Sequence, residues 1–140
     1  VKLSEAAKTV IPLARKVREY YDAKLPKWYP DYPVIDPARE GPPPPKEQRE
    51  LRDFLGSLPS ETIQQLILLM YLGRGDFGAD DLPGSYEALK QTFGKSEWAA
   101  SQMMEKAPLA QYLSDGLLEL KRHRISVDDL PWEDTQKAKT

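Results

Sequence analysis

The sequence predicts an all-α fold: a compact orthogonal bundle of five or six helices with a proline- and aromatic-rich extended strap. Three observations predict it. Apolar residues recur in steps of three and four through most of the chain, the spacing of helix faces. Eight of the thirteen prolines (Pro26, Pro30, Pro33, Pro37 and Pro42 through Pro45) crowd one stretch, where fixed φ angles and missing N–H donors exclude helix and central strand. Leu66 to Leu72 is unbroken apolar sequence, which marks the helix around it as central.

At 140 residues the chain reads as a single helical domain, 1–140: an N-terminal helix to residue 24, a strap over 25–45, a helical body over 46–121 and a tail over 122–140. Ser4 is the expected cap of the first helix. Leu3, Ala7, Val10, Ala14, Val17 and Tyr21 form its apolar stripe, and Pro12 predicts a kink or a start near Thr9. Trp28, Tyr29, Tyr32, Val34 and Ile35 give the strap enough apolar surface to be held on the domain, unlike a disordered spacer. Pro45 opens a second helix, with Leu51, Phe54 and Leu55 inward and Gly56 as its stop. Ser60 caps the third, whose second half is apolar all round up to Leu72 and which Gly73 or Gly75 closes. Asp80, Asp81 or Ser85 caps a fourth, carrying Tyr86, Leu89 and Phe93 to Gly94. Ser96 starts a fifth through Trp98, Met103 and Met104, and Pro108 a sixth through Leu109, Leu113, Leu117 and Leu120. Ile125 to Pro131 could dock one more turn, and Trp132 to Thr140 reads as a frayed tail.

Composition excludes several functions. Without cysteine there is no disulfide, thiolate nucleophile or cysteine-bound metal. The longest apolar run is far below the roughly 20 residues of a membrane span, and nothing near Val1 resembles a signal peptide. A cytoplasmic protein without membrane contact or cofactor is expected. Net charge is −2, divided as +2 over residues 1–41, −5 over 42–120 and +1 over 121–140, so nucleic-acid binding is disfavoured.

Two stretches, LMYLGRGDF from Leu69 to Phe77 and PLAQYLSDGLL from Pro108 to Leu118, resemble a small bacterial family known only as a domain of unknown function (3775). The likeness spans about residues 60 to 120. It implies a helical fold and brings no assigned activity or site residue.

Arg74, Gly75 and Asp76 are candidate ligand-binding residues: a cation beside loop N–H groups could hold a small anion, although a helix-end cation and a loop-forming aspartate explain the same letters. Asp76, Asp80 and Glu87 have a calcium-like spacing, but Gly78, Asp81 and Pro83 break the frame, and no metal site is expected. His123 has no visible catalytic companion. It lies among Lys121, Arg122 and Arg124, which either close the sixth helix or meet phosphate. Met103 and Met104 read as core in preference to a groove. Trp28, Tyr29, Tyr32, Pro43 and Pro44 are candidate partner-binding residues in the strap.

No reactive group has its necessary companions, so the expected function is a non-enzymatic protein-interaction or adaptor module with an unidentified protein partner. The alternatives are a metabolite binder or enzyme at the GRGD loop and a nucleic-acid binder at 121–124. A homodimer through the first helix is compatible with its stripe.

Overall fold

A computed structural model, describing residues 2–92, 96–104 and 108–128, has six helices: α1 (Leu3–Trp28), α2 (Lys46–Ser57), α3 (Ser60–Arg74), α4 (Leu82–Thr92), α5 (Ser96–Met104) and α6 (Leu109–Arg122). A short 3-10 turn, Ala79–Asp81, leads into α4. No strand occurs among the described residues. Phe93, Gly94, the Trp98 side chain and the segment from Asp129 onward, which includes the expected tail, lie outside the description.

Helix α3 is the central rod, as its all-round apolar sequence requires. Ile63, Leu66 through Met70 and Leu72 are each at most 4% exposed, and burying each such side chain stabilises the fold by roughly 1.5–3 kcal/mol. Its broadest contact is with α6, followed by α4 and α5. Two glycines set that closeness. A Cβ on Gly73 would fall 1.7 Å from the Tyr112 carbonyl oxygen, and one on Gly116 would fall 2.3 Å from the Leu69 carbonyl oxygen. The two backbones therefore touch at positions where no larger residue fits.

Helix α1 docks chiefly on α6 and α2, and less on α3, because α3 is already covered by α4, α5 and α6. Leu3, Ala6, Ala7, Val10 and Ala14 are buried, whereas Val17 and Tyr21 are only half-buried. The helix runs unbroken through Pro12 and ends at Trp28 after passing Pro26, four residues beyond the expected end at 24. Both prolines lie on the exposed side. There a carbonyl that has lost its helical donor can bond water, and a φ near −65° is already helical.

Neither Ser4 nor Ser60 takes the expected cap position. Pro59 precedes α3 without any side-chain cap. Ser4 lies inside the first turn of α1, where Asp128 takes its backbone N–H at 3.0 Å and its hydroxyl at 2.6 Å. A carboxylate from the far end of the chain thus satisfies a free donor at the helix start. Those bonds from Ser4 hold the Asp128 carboxyl below its usual range. Beside this clasp, Ile125 and Val127 pack half-buried against the core, so residues 125–128 form the docked turn.

Candidate functional site

The strap is built in two parts. Residues 30–39 fold into successive turns, with Val34 N–H donating to the Asp31 carbonyl (2.9 Å) and Arg39 N–H to the Asp36 carbonyl (3.1 Å); residues 40–45 carry no turn, and Pro45 is extended at φ −71° and ψ 158°. The Asp36 carboxylate accepts the Ala38 N–H at 2.9 Å and closes one of these turns. The isolated Pro30, Pro33 and Pro37 thus fall in turns, positions that proline favours, and the run Pro42 to Pro45 follows them.

Aromatic side chains pin both ends. Trp28 Nε1–H donates to the Glu40 carbonyl at 2.7 Å, Tyr20 Oη–H donates to the Pro43 carbonyl, and Tyr29 is buried at 5% exposure. Between these anchors the apex stands clear. Tyr32, Val34 and Ile35 are 41%, 68% and 50% exposed. Among the described residues, Leu118 is the only other large apolar side chain this open. Of the strap candidates, Trp28, Tyr29 and Pro43 are therefore anchors, Pro44 lines a small hollow with Lys46 and Arg49, and Tyr32 faces solvent. Val34 and Ile35, expected to hold the strap down, are presented outward instead.

Helices α1 and α2 border a groove of about 520 Å³, to which Met104 and Leu109 also contribute. Val17, Leu25 and Leu51 give it apolar lining, and Arg18 and Arg52 also line it. Tyr21 donates to Gln48 Oε1 at 2.6 Å across it. Burial, with Tyr20 alongside, pushes the Tyr21 phenol above its ordinary value, which keeps it a neutral donor.

The GRGD loop is a helix terminator. Gly75 adopts φ +89°, its N–H donates to the Leu72 carbonyl, and Asp76 N–H reaches back to Tyr71, both at 3.1 Å. Arg74 is held by its own neighbour. Its Nε and Nη2 donate to the two Asp76 carboxylate oxygens at 3.0 and 2.6 Å, which raises the guanidinium pKa further. Its planar head also lies 4.7 Å from the Tyr71 ring centre. An anion at Arg74 would have to displace a bidentate carboxylate.

Residues 48–121, more than half of the chain, match the family described as Protein of unknown function (DUF3775). The chain belongs to this family. The match extends the resemblance seen at residues 60–120 back into α2, and it contains both Gly73 and Gly116. The GRGD turn and α6 of this DUF3775 protein are thus the terminator and the backbone-contact partner of one helix. Helix α1 and the strap lie outside the matched stretch. No curated protein and no solved structure matches the chain.

Several of the remaining candidates have local partners. Glu119 faces both Arg122 (3.5 Å) and His123 (3.0 Å), while Lys121 and Arg124 are exposed at the end of α6. Glu87 pairs with Lys90 at 2.7 Å and Asp76 with Arg74, so two members of the calcium-like set are committed to cations. Among the described residues no group of three or more histidines and carboxylates could hold a metal ion. No helix there is long and apolar enough to cross a membrane. Met103 is fully buried and Met104 faces the groove.

Proposed function

We propose that this chain is a non-enzymatic protein-interaction module whose contact surface is the apex of the strap, with Tyr32, Val34 and Ile35 as its apolar centre. The observation that carries the reading is the crowding of three of the most exposed large apolar side chains into four consecutive positions, on a segment anchored at both ends. Prefixed anchors lower the ordering cost of association, because the apex has little freedom left to lose. The expected partner is a protein with a complementary apolar recess, and the reading puts both in the bacterial cytoplasm, where a cysteine-free chain loses nothing. The Arg74–Asp76 pair weakens the anion alternative and the Arg122–Glu119 pair weakens the nucleic-acid one, since a phosphate there would compete with an intramolecular carboxylate.

A photo-activatable side chain placed at Ile35 in living source cells tests this, with the same group at exposed Lys8 as control. The expected result is a discrete adduct from position 35 that is absent from position 8 and lost on adding Val34→Glu. No adduct at 35, or identical adducts from both positions, contradicts the reading.

A further inference from the structure

The α1–α2 groove has a polarity that the strap apex does not share. Its volume of about 520 Å³ lies within the roughly 300–1,000 Å³ of small-molecule sites. Ala14 to Leu25 along its wall corresponds to about 16 Å of helix at 1.5 Å per residue, a length that suits an extended alkyl chain. The apolar surface is concentrated at Val17, Leu25, Leu51, Met104 and Leu109. Gln48 and Arg52 also line the adjoining hollow, which adds Lys46 and Arg49, so the two spaces share a wall.

Among the described residues, every charged side chain lining either space is a cation, although residues 42–120 carry a net −5. Arg18 is paired with Asp22 at 3.1 Å. Arg52, Arg49 and Lys46 have no ion pair among the described residues, and the carboxylates of Glu47, Glu50 and Asp53, on the same helix, line neither space. An apolar trough therefore adjoins three cations, spaced at i, i+3 and i+6, that have no ion pair among the described residues.

We propose that this groove binds a single-chain amphipathic anion, with its hydrocarbon tail along Val17, Leu25 and Met104 and its carboxylate head at Arg52, Arg49 and Lys46. The apolar wall supplies area-dependent affinity, and the guanidinium groups select the sign of the head group through charge-assisted hydrogen bonds. This site is separate from the strap apex, and neither depends on the other.

Dodecanoate, kept below its micelle-forming concentration, is the probe, titrated into the full chain and followed by heteronuclear NMR. The expected result is saturable shifts at Val17, Met104 and Leu109. Dodecylammonium should give none, and Arg52→Glu should weaken dodecanoate binding by at least about tenfold while Arg52→Lys largely retains it. Val17→Trp, which fills the trough, should also abolish binding with the remaining spectrum unchanged. Absence of saturation, equal binding of dodecylammonium, or binding unaffected by both Arg52→Glu and Val17→Trp overturns the proposal. Binding only to vesicles containing anionic phospholipid, with none to free dodecanoate, overturns it as well.

Discussion

At the scale of single residues, the heaviest constraints fall on two glycines. Alanine at Gly73 or Gly116 would drive a methyl into the backbone of the opposing helix, where nothing can rotate away. Gly73→Ala is expected to cost at least about 3 kcal/mol or to prevent folding. Gly56 is the counterexample: nothing lies within 4 Å of its missing Cβ, and Gly56→Ala in the last turn of α2 should stabilise by about 0.5–1 kcal/mol. Chemical denaturation of both variants checks the pair. Asp128 gives a test with a pH signature. Asp128→Asn is expected to cost about 0.5–1 kcal/mol, the low range for an exposed helix cap. Because Ser4 depresses the folded-state pKa, the carboxylate's contribution is present above the unfolded value of about 3.9 and is lost as pH falls through the lower folded value. The stability gap between wild type and variant should therefore be constant from pH 7 to about 5 and close below about pH 4. A gap that persists at pH 3 would mean that Asp128 acts without its charge.

At the scale of elements, much was legible because the signals are local. Leu66 to Leu72 reads as a buried rod, Pro45 and Pro108 sit where helices begin, and Gly75 ends α3 in the left-handed conformation that glycine adopts freely. Gly75→Ala is expected to destabilise by about 1 kcal/mol from backbone strain alone, since the space around it is open. Arg74→Ala should cost less, about 0.5 kcal/mol, as its ion pair is largely exposed. Thermal unfolding of the two variants ranks them, and the reverse order would make the Arg74–Asp76 pair more than a loop closure. What sequence could not supply was pairing between distant segments. The Asp128 cap on α1 joins positions 124 residues apart, and the groove exists only because α1 lies against α2. A glycine inside α6, where it weakens a helix, was the one local hint of a close backbone approach. Pro12 and Pro26 misled because their cost depends on whether the abandoned carbonyl reaches water, which is a tertiary fact.

At the scale of the whole molecule, the chain divides into a family body and an embellished amino-terminal part. The body, α2 to α6, is organised around α3, and α1 completes its cover. The proline window announced a strap, but not that Trp28, Tyr29 and the Pro43 carbonyl anchor it while Tyr32, Val34 and Ile35 face out, because aromatic and β-branched residues suit either role. That division of labour is the centre of the functional account. Exchanging residues 31–38 for an equally long glycine–serine segment leaves the anchors at Trp28, Tyr29, Glu40 and Pro43 in place. Thermal unfolding and in-cell cross-linking of that variant, measured side by side with wild type, test the account most directly. The account predicts a midpoint within about 2 °C of wild type together with loss of the cross-linked partner; a partner retained by the variant, or a fold lost with the apex, would contradict it.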